Sequence, residues 1–572
     1  MGRRPHMKLR EVKIHNFRSI LDTTILLRDY TLLVGPNNSG KSTVIDAIRA
    51  FYEKDGFKFS KDRDFPKLTT KDNESWVELA FCLTPSEREH LPEEYRTQNS
   101  QLRVRRILHK SEQTSSTTHK EGHYYICNPD GSLSDKPFPT HKDVHSGRLG
   151  NVVYIPAIST LDEHTKLSGR SPLRDLLTEL VRDAVSHGEA YANFVAAVGT
   201  FDQAIQGAET SEERSLAGLK REINRRIAQW DSEFTLNLVP PSPEELVKYM
   251  IKWHLFDRKH NCEINIDACG SGFQRYFIYS VIDVASQYAT RNKVPQTEDF
   301  NPTFTLILFE EPEAFLHPPQ QEQLAADLRR LSTREGWQII CTTHSPCFVS
   351  KNANDIPSIV RFSHAGNGVT KYQVTEDDWD RIVRDNQRLN VIAQKYPDLM
   401  KSLDESDFKS DMEAIKYFIW LNPARAGAFF AEHVLLVEGP TEVALINRLI
   451  SDGKISNVRA GLYIMDCMGK FNIHRFMNLF SSLGIDHSVI YDDDKNKEWH
   501  TEINKLIHDS QNEKFTRAIE CIPGRLEELL GISEKIPQHR KPQRVLFHYE
   551  SGNINPDGLQ RFCQHVNKCL AT

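Results

Sequence analysis

Apolar positions divide the chain into an α/β region, a helical stretch and a second α/β region. Short apolar runs at 12–16 and 24–27 read as strands, and the wholly apolar 32–34 reads as a buried one. Val44, Ile45, Ala47 and Ile48 follow at helical spacing. Alternation at 76–81, 102–107 and 123–126 predicts antiparallel sheet. Arg103 and Arg105 share one face of their strand and Arg106 the other, the pattern of a solvated edge strand in preference to a nucleic-acid contact. Residues 151–156 form a buried strand closed by Pro156. Ser171-Pro172 then supplies an N-cap and first-turn pair for Leu173, Leu176, Leu177, Leu180 and Val181. Helical, charge-rich sequence runs on to Trp230, an insertion that packs against either a partner chain or its own core. Strand-like sequence resumes at 234–239 and 250–256, and 301–309 and 337–341 are strongly apolar strands. Short strands and polar helix share 352–400, and 401–430 is a charged helical connector. The last region alternates strands at 434–437, 461–465 and 487–491 with helices ending at Ile450 and spanning 473–483.

With 572 residues the chain holds two or more domains, and 39% hydrophobic against 26% charged residues is a globular composition. No apolar run approaches the length of a membrane span, so no membrane partner is expected. Residues 1–6 are expected to be an appended leader before a start at Met7. The ten cysteines are scattered, which suggests reduced thiols in a cytoplasmic protein. Cys563, His565 and Cys569 lie close together but lack a second half-site, so a surface helix is favoured over zinc. A net charge of −6 requires any nucleic acid to be met by local basic patches.

The candidate chemistry begins at Gly35. Gly35, Gly40, Lys41 and Ser42 match the G-x-x-x-x-G-K-[ST] phosphate loop, between a buried strand and a helix start. Backbone N–H groups of such a loop cradle a phosphate chain, with Lys41 on the β- and γ-phosphates and Ser42 on Mg²⁺. Asn38 and Thr43 complete the expected nucleotide-binding set. Thr305-Leu-Ile-Leu-Phe-Glu-Glu is an apolar strand ending in two carboxylates, the Walker B arrangement: Glu310 for Mg²⁺ and Glu311 for the attacking water. Upstream, Ala268-Cys-Gly-Ser-Gly-Phe-Gln-Arg275 is a degenerate ABC signature, with Ser271 and Gly272 aimed at a γ-phosphate on another head. His344 follows a strand where a γ-phosphate-sensing switch histidine is expected, and 314–318 stands where a D-loop would cross a dimer interface.

A second constellation lies in the last region. The strand 434–437 ends at Glu438, and Glu442 follows at i+4 on the next helix, which brings both carboxylates to one side of the strand end. The strand 487–491 ends in Asp492-Asp493-Asp494, with Asp492 and Asp494 pointing the same way in extended chain. Acids at the carboxyl ends of parallel strands occupy the usual α/β site and offer hard oxygen donors to Mg²⁺ or Mn²⁺. Their use would be phosphodiester hydrolysis.

The first set of motifs resembles ABC-type ATPases of the SMC and RecF kind, whose first strand also carries an Asn-Phe-Arg-Ser element, here Asn16 to Ser19. The second resembles a Toprim domain. Their order, with Glu-Gly-Pro-Thr-Glu at 438–442, resembles the OLD (overcoming lysogenization defect) family of nucleases, which includes subunits of Gabija-type and retron-linked antiphage systems. The resemblance implies an α/β fold: an ABC-type head at 7–160 and 236–400, a helical dimerisation insertion at 161–235, a connector at 401–430 and a Toprim domain at 431–572. It implies ATP and Mg²⁺ (or Mn²⁺) as cofactors and a homodimer or higher homo-oligomer with two heads sandwiching ATP. It also implies a DNA substrate and a helicase or reverse-transcriptase partner of a defence system. Glu438, Glu442, Asp492 and Asp494 become metal ligands, Glu527 or Glu528 a further acid, and Lys541 a stabiliser of phosphorane charge; Asp466 is an extra contact only. The implied activity is a metal-dependent DNA endonuclease governed by its ATPase head. A Toprim ribonuclease and an ATP-driven DNA clamp are the alternatives.

Overall fold

The computed structural model describes residues 6–571 apart from 92–99, 111–118, 129, 139–148, 158–176, 179–180, 182–188, 208–214, 290–303, 350–352, 367, 401–415, 418–421, 457, 495–496 and 535. The chain forms two compact units, one of Met1–Ala157 with Gln296–Thr572, the other of Ile158–Pro295.

In the first unit the strands are β1 (Lys8–Phe17), β2 (Ile20–Leu26), β3 (Tyr30–Val34), β4 (Ser75–Cys82), β5 (Gln101–His109), β6 (Tyr124–Ile126) and β7 (Asn151–Ile155). The second unit holds β8 (Leu255–Asp257) and β9 (Cys262–Ile264). The first unit resumes with β10 (Thr305–Glu310), β11 (Trp337–Thr342), β12 (Ile359–Ala365) and β13 (Gly368–Gln373), then β14 (His433–Val437), β15 (Leu462–Asp466), β16 (Asp486–Asp492) and β17 (Thr516–Ile522).

An antiparallel sheet in the order β2-β1-β4-β5-β6 faces a second sheet, β13-β12-β3-β11-β10-β7, which is parallel except at β12/β13. Their shared core contains Val12, Ile14, Val44, Ile48, Phe51, Val77, Leu306 and Ile340. β5 lies between β4 and β6, so it is not the edge strand that its arginines suggested. Acids on β1 and β4 take those arginines: Arg103 donates to Glu11 at 2.9 Å, and Arg105 to Glu78 at 2.7 Å. Arg106 is buried and donates to the carbonyls of Ala50 and Phe51.

β3 is buried along its length because strands flank it on both sides, and it delivers the chain to Gly35. Gly35 has φ 136°, and a Cβ there would lie 2.2 Å from the carbonyl oxygen of Phe362, so only glycine fits this turn.

The four-stranded sheet β15-β14-β16-β17 is wholly parallel. Helix Pro440–Ser451 covers it with Leu445, Ile446 and Leu449, and helix Pro556–Leu570 with Phe562 and Val566. Cys563 and Cys569 turn into this core, while His565 pairs with Glu520 at 2.6 Å. The helix is therefore amphipathic and core-packed, where a surface helix was expected.

The second unit contains helices Glu189–Gly207, Leu216–Ile227, Pro243–Met250 and Ser271–Ala289. The strand expected at 234–239 does not form. Side chains satisfy its backbone instead of a neighbouring strand: Asn224 accepts from the Phe234 N–H at 2.6 Å and Asp202 from that of Leu238 at 3.0 Å. The stretch 250–256 becomes β8 only from Leu255. Most of the helix expected at 173–181 and most of the connector at 401–430 lie outside the described residues.

Candidate functional site

At the phosphate loop, Gly40 adopts φ 91° and caps helix Lys41–Tyr52. The Lys41 ammonium is buried and donates to the carbonyls of Gly35 at 3.0 Å and Pro36 at 2.7 Å. Burial lowers its pKa to about 8, against the opposing pull of Glu311 and Glu313. The Ser42 hydroxyl hydrogen-bonds Glu310, which also accepts from the Tyr154 hydroxyl at 3.1 Å. Thr43 is buried behind the loop, and Asn38 stands exposed in it with φ 60°. Parallel pairing of β10 with β11 puts Glu310 beside Thr342, so the Walker B acids and His344 leave the sheet together. Glu311 has φ 43°, a conformation costly for a residue with a side chain, held by its N–H to the Thr342 carbonyl at 3.0 Å. Its carboxylate lies 3.6 Å from His344 Nε2. Burial, then the Lys41 charge, lowers the His344 pKa. A cavity of about 720 Å³ opens here, lined by Gly35, Pro36, Asn37, Glu311, His344 and Phe430.

The sequence did not single out Glu313. It is buried and accepts the His344 N–H at 2.6 Å, which fixes the backbone of the switch position. The third acid of Glu-Glu-Pro-Glu was the available signal. Ser271 and Gly272 belong to the second unit, where Ser271 opens helix Ser271–Ala289 and is exposed.

The second cluster forms because β14 and β16 are parallel neighbours, with Val437 opposite Ile490, so their carboxyl ends lie side by side. Glu438 Oε1 accepts the Asp492 N–H at 2.8 Å. Glu442, in the first turn of helix Pro440–Ser451, accepts the Gly439 N–H at 3.0 Å. Asp492 Oδ2 accepts the Leu526 N–H at 3.0 Å, and Asp494 meets Arg525 Nε at 3.2 Å. Lys541 Nζ lies 2.7 Å from Glu527 Oε1. Glu527 also acts electrostatically on Glu442 and Asp492, whereas Glu528 accepts from the Arg525 N–H of its own helix start. Geometry thus separates the two acids that spacing left equivalent. Asp466 is held by Arg425 at 2.7 Å.

Lys470 was missed. It lies in the loop after β15 and is buried, and its Nζ donates to the Asp492 carbonyl and lies 3.9 Å from Asp494 Oδ2. A Gly-Lys pair just beyond a parallel strand was the signal.

Burial, then the charge of Asp492, pushes the pKa of Glu442 up to about 7. Burial, then the charges of Glu442 and Asp494, raises Glu438, and burial, then the charge of Glu438, raises Asp492. Among the described residues, no three His, Cys, Asp or Glu side chains converge as a ready-made metal cage. What fits a divalent cation is the donor chemistry: hard oxygens, mutually repelling and partly buried, which a cation would relieve.

The family described as "AAA domain, putative AbiEii toxin, Type IV TA system" matches residues 30–350. The family described as "Overcoming lysogenization defect protein-like, TOPRIM domain" matches residues 429–494. The Old nuclease of Escherichia phage P2 is 25% identical over 521 residues, covering 85% of this chain and 77% of the relative. The OLD nuclease of Thermus scotoductus is 20% identical over 584 residues, 98% of each chain. An Endonuclease GajA of Bacillus cereus is 22% identical over 511 residues, 85% of this chain and 75% of the relative. With its model matching more than half of the length, this chain belongs to that AAA-domain family, and it carries an OLD-like Toprim domain after the ATPase.

Proposed function

We propose that the chain is a divalent-metal-dependent DNA endonuclease controlled by its ATPase head and serving antiphage defence. The observation that carries this reading is the hydrogen bond from the Asp492 N–H to Glu438 Oε1 at 2.8 Å, which joins two acid-bearing strand ends at one point. Relatives named as nucleases over most of the chain support it. Glu438, Glu442, Asp492 and Asp494 would hold Mg²⁺ or Mn²⁺. Such an ion supplies charge stabilisation and an acidified water when bound. Lys541, kept in place by Glu527, faces the phosphate and offsets charge developing on it.

In the head, the phosphate loop binds ATP, Ser42 and Glu310 take its Mg²⁺, Glu311 aligns water, and His344 senses the γ-phosphate. Ser271 and Gly272 of a second copy complete that site. Exposed Phe201, Trp230 and Val239 on the second unit support a surface covered by another copy.

The test uses supercoiled plasmid and tRNA with Mg²⁺ or Mn²⁺, with and without ATP. Wild type cuts plasmid, Glu438→Ala does not, and Lys41→Ala changes the response to ATP. Undiminished cutting by Glu438→Ala overturns the site, and cleavage of tRNA alone overturns the DNA substrate.

A further inference from the structure

Resting on the reading of the strand-end acids as metal ligands, we propose that Lys470 is a built-in counter-ion of that cluster. It keeps the acids assembled before a divalent cation arrives, and its charge opposes that cation.

Lys470 is only 5% exposed. Its Nζ donates to the carbonyl of Asp492 and lies 3.4 Å from that of Asp493, 3.9 Å from Asp494 Oδ2 and 5.1 Å from the centre of the Tyr491 ring. A buried ammonium needs compensating negative charge. Carbonyl dipoles and nearby carboxylates supply it here, without a close carboxylate contact. Its charge also reaches Glu438 and opposes the rise in that group's pKa.

The segment that delivers Lys470 is tied to the other acid-bearing strand. The Cys467 N–H donates to the Val437 carbonyl at 2.8 Å, and the Gly469 N–H to that of Glu438 at 2.7 Å. Gly469 has φ 106°, which turns the chain so that the next side chain enters the cluster. Residues 467–470 thus bridge the ends of β14 and β16, with the cation between them. Lys470 is a positioning residue: it acts through the acids, holding the backbone carbonyls of Asp492 and Asp493. A fixed positive charge beside an ion site weakens binding of another cation by Coulomb repulsion. Removing it would therefore loosen the metal-free protein yet strengthen metal binding, a pair of signs that a purely packing role does not produce.

The experiment compares the full chain as wild type, Lys470→Met and Lys470→Arg, using Mn²⁺ alone as probe. Free Mn²⁺ is read by electron paramagnetic resonance, and melting is followed with EDTA and with Mn²⁺. The expected result is that Lys470→Met melts lower in EDTA, binds Mn²⁺ several-fold tighter and gains more on adding Mn²⁺, while Lys470→Arg stays near wild type. Unchanged or weaker Mn²⁺ binding by Lys470→Met overturns the proposal, as does a wild type that binds no Mn²⁺. A wild type that binds Mn²⁺ but cuts no nucleic acid overturns the nuclease reading alone and leaves the Lys470 comparison decisive.

Discussion

Arg361 on β12 donates to the carbonyl oxygen of Gly484 at 2.7 Å, at the turn that leads into β16. The same guanidinium reaches the carbonyls of Phe429 at 3.1 Å and Ala431 at 2.8 Å, just before β14. It is 1% exposed, and burial lowers its pKa to about 10. Arg361 pairs in register with Val34, the last residue before the phosphate loop. One side chain thus ties the strand that delivers the phosphate loop to the entry points of both strands carrying the candidate metal ligands.

Replacing that side chain with methionine fills much of the volume but leaves several buried carbonyls without donors. Each orphaned group costs about 1–3 kcal/mol, so Arg361→Met should lose at least about 3 kcal/mol of stability. Urea unfolding checks this, with the strands around Gly484 expected to lose hydrogen-exchange protection first. A midpoint equal to wild type contradicts the role given to Arg361.

Gly484 itself is constrained. It has φ 63°, and an added Cβ would sit 2.4 Å from the ring of Tyr372. Gly484→Ala should cost about 1–3 kcal/mol from the clash and backbone strain together. Adding Tyr372→Ala should recover the steric part only, so calorimetry of the double variant should show less than additive loss. Full additivity would mean the two residues do not meet.

Lys541 and Glu527, 2.7 Å apart, make a different kind of claim. If Lys541 stabilises charge on the reacting phosphate, Lys541→Met should lower the turnover of plasmid cutting by roughly 10²–10³, the usual effect of losing one such donor. Mn²⁺ affinity and melting temperature should stay close to wild type. Glu527→Gln should have a smaller effect on turnover, because it only holds the lysine in place. Equal loss of metal binding and cutting in Lys541→Met would make it structural.

The local motifs were legible because each packs its chemistry into a few consecutive residues: Gly35 to Ser42, Glu310 with Glu311, and Glu438 with Glu442. Parallel strands were legible for a similar reason, since β3, β10 and β14 are nearly unbroken apolar runs. Lys470, Glu313 and Arg361 carried weaker signals. Arg361 meets Gly484 through tertiary packing, with no spacing to betray it. The reading of Phe234 to Val239 as a strand failed for the opposite reason. Its alternation is real, but Val239 is 79% exposed and side chains, not a sheet, take the backbone hydrogen bonds.

His487, buried within β16, gives a pH prediction. Its Nδ1 donates to the Ile485 carbonyl at 2.9 Å, and its Nε2 accepts from the Thr516 hydroxyl at 3.0 Å, so the neutral ring is fully satisfied. Burial lowers its pKa to about 4 from an ordinary 6.5. The unfolded chain therefore binds a proton that the folded chain refuses, and stability falls as pH drops from about 6.5 towards 4. The full effect is roughly 3 kcal/mol. His487→Gln should flatten this part of the profile in urea titrations at several pH values, even if it lowers stability at pH 7. A variant with an unchanged slope would assign the acid sensitivity elsewhere.

The proposed completion of each ATP site by a second copy leads to a mixing experiment. Lys41→Ala removes the phosphate-loop cation, and Ser271→Arg blocks the signature position. A homodimer of either variant has no intact site. In a symmetric dimer with sites shared between copies, a mixed dimer pairs both defects in one site and leaves the other whole. Unfolding and refolding the two variants together should therefore restore ATP hydrolysis that neither shows alone. If each head were completed by its own signature, both halves of the mixed dimer would stay inactive and no activity would return. Restoration without any dimer by light scattering would likewise count against the shared site, because the exchange requires two copies in contact.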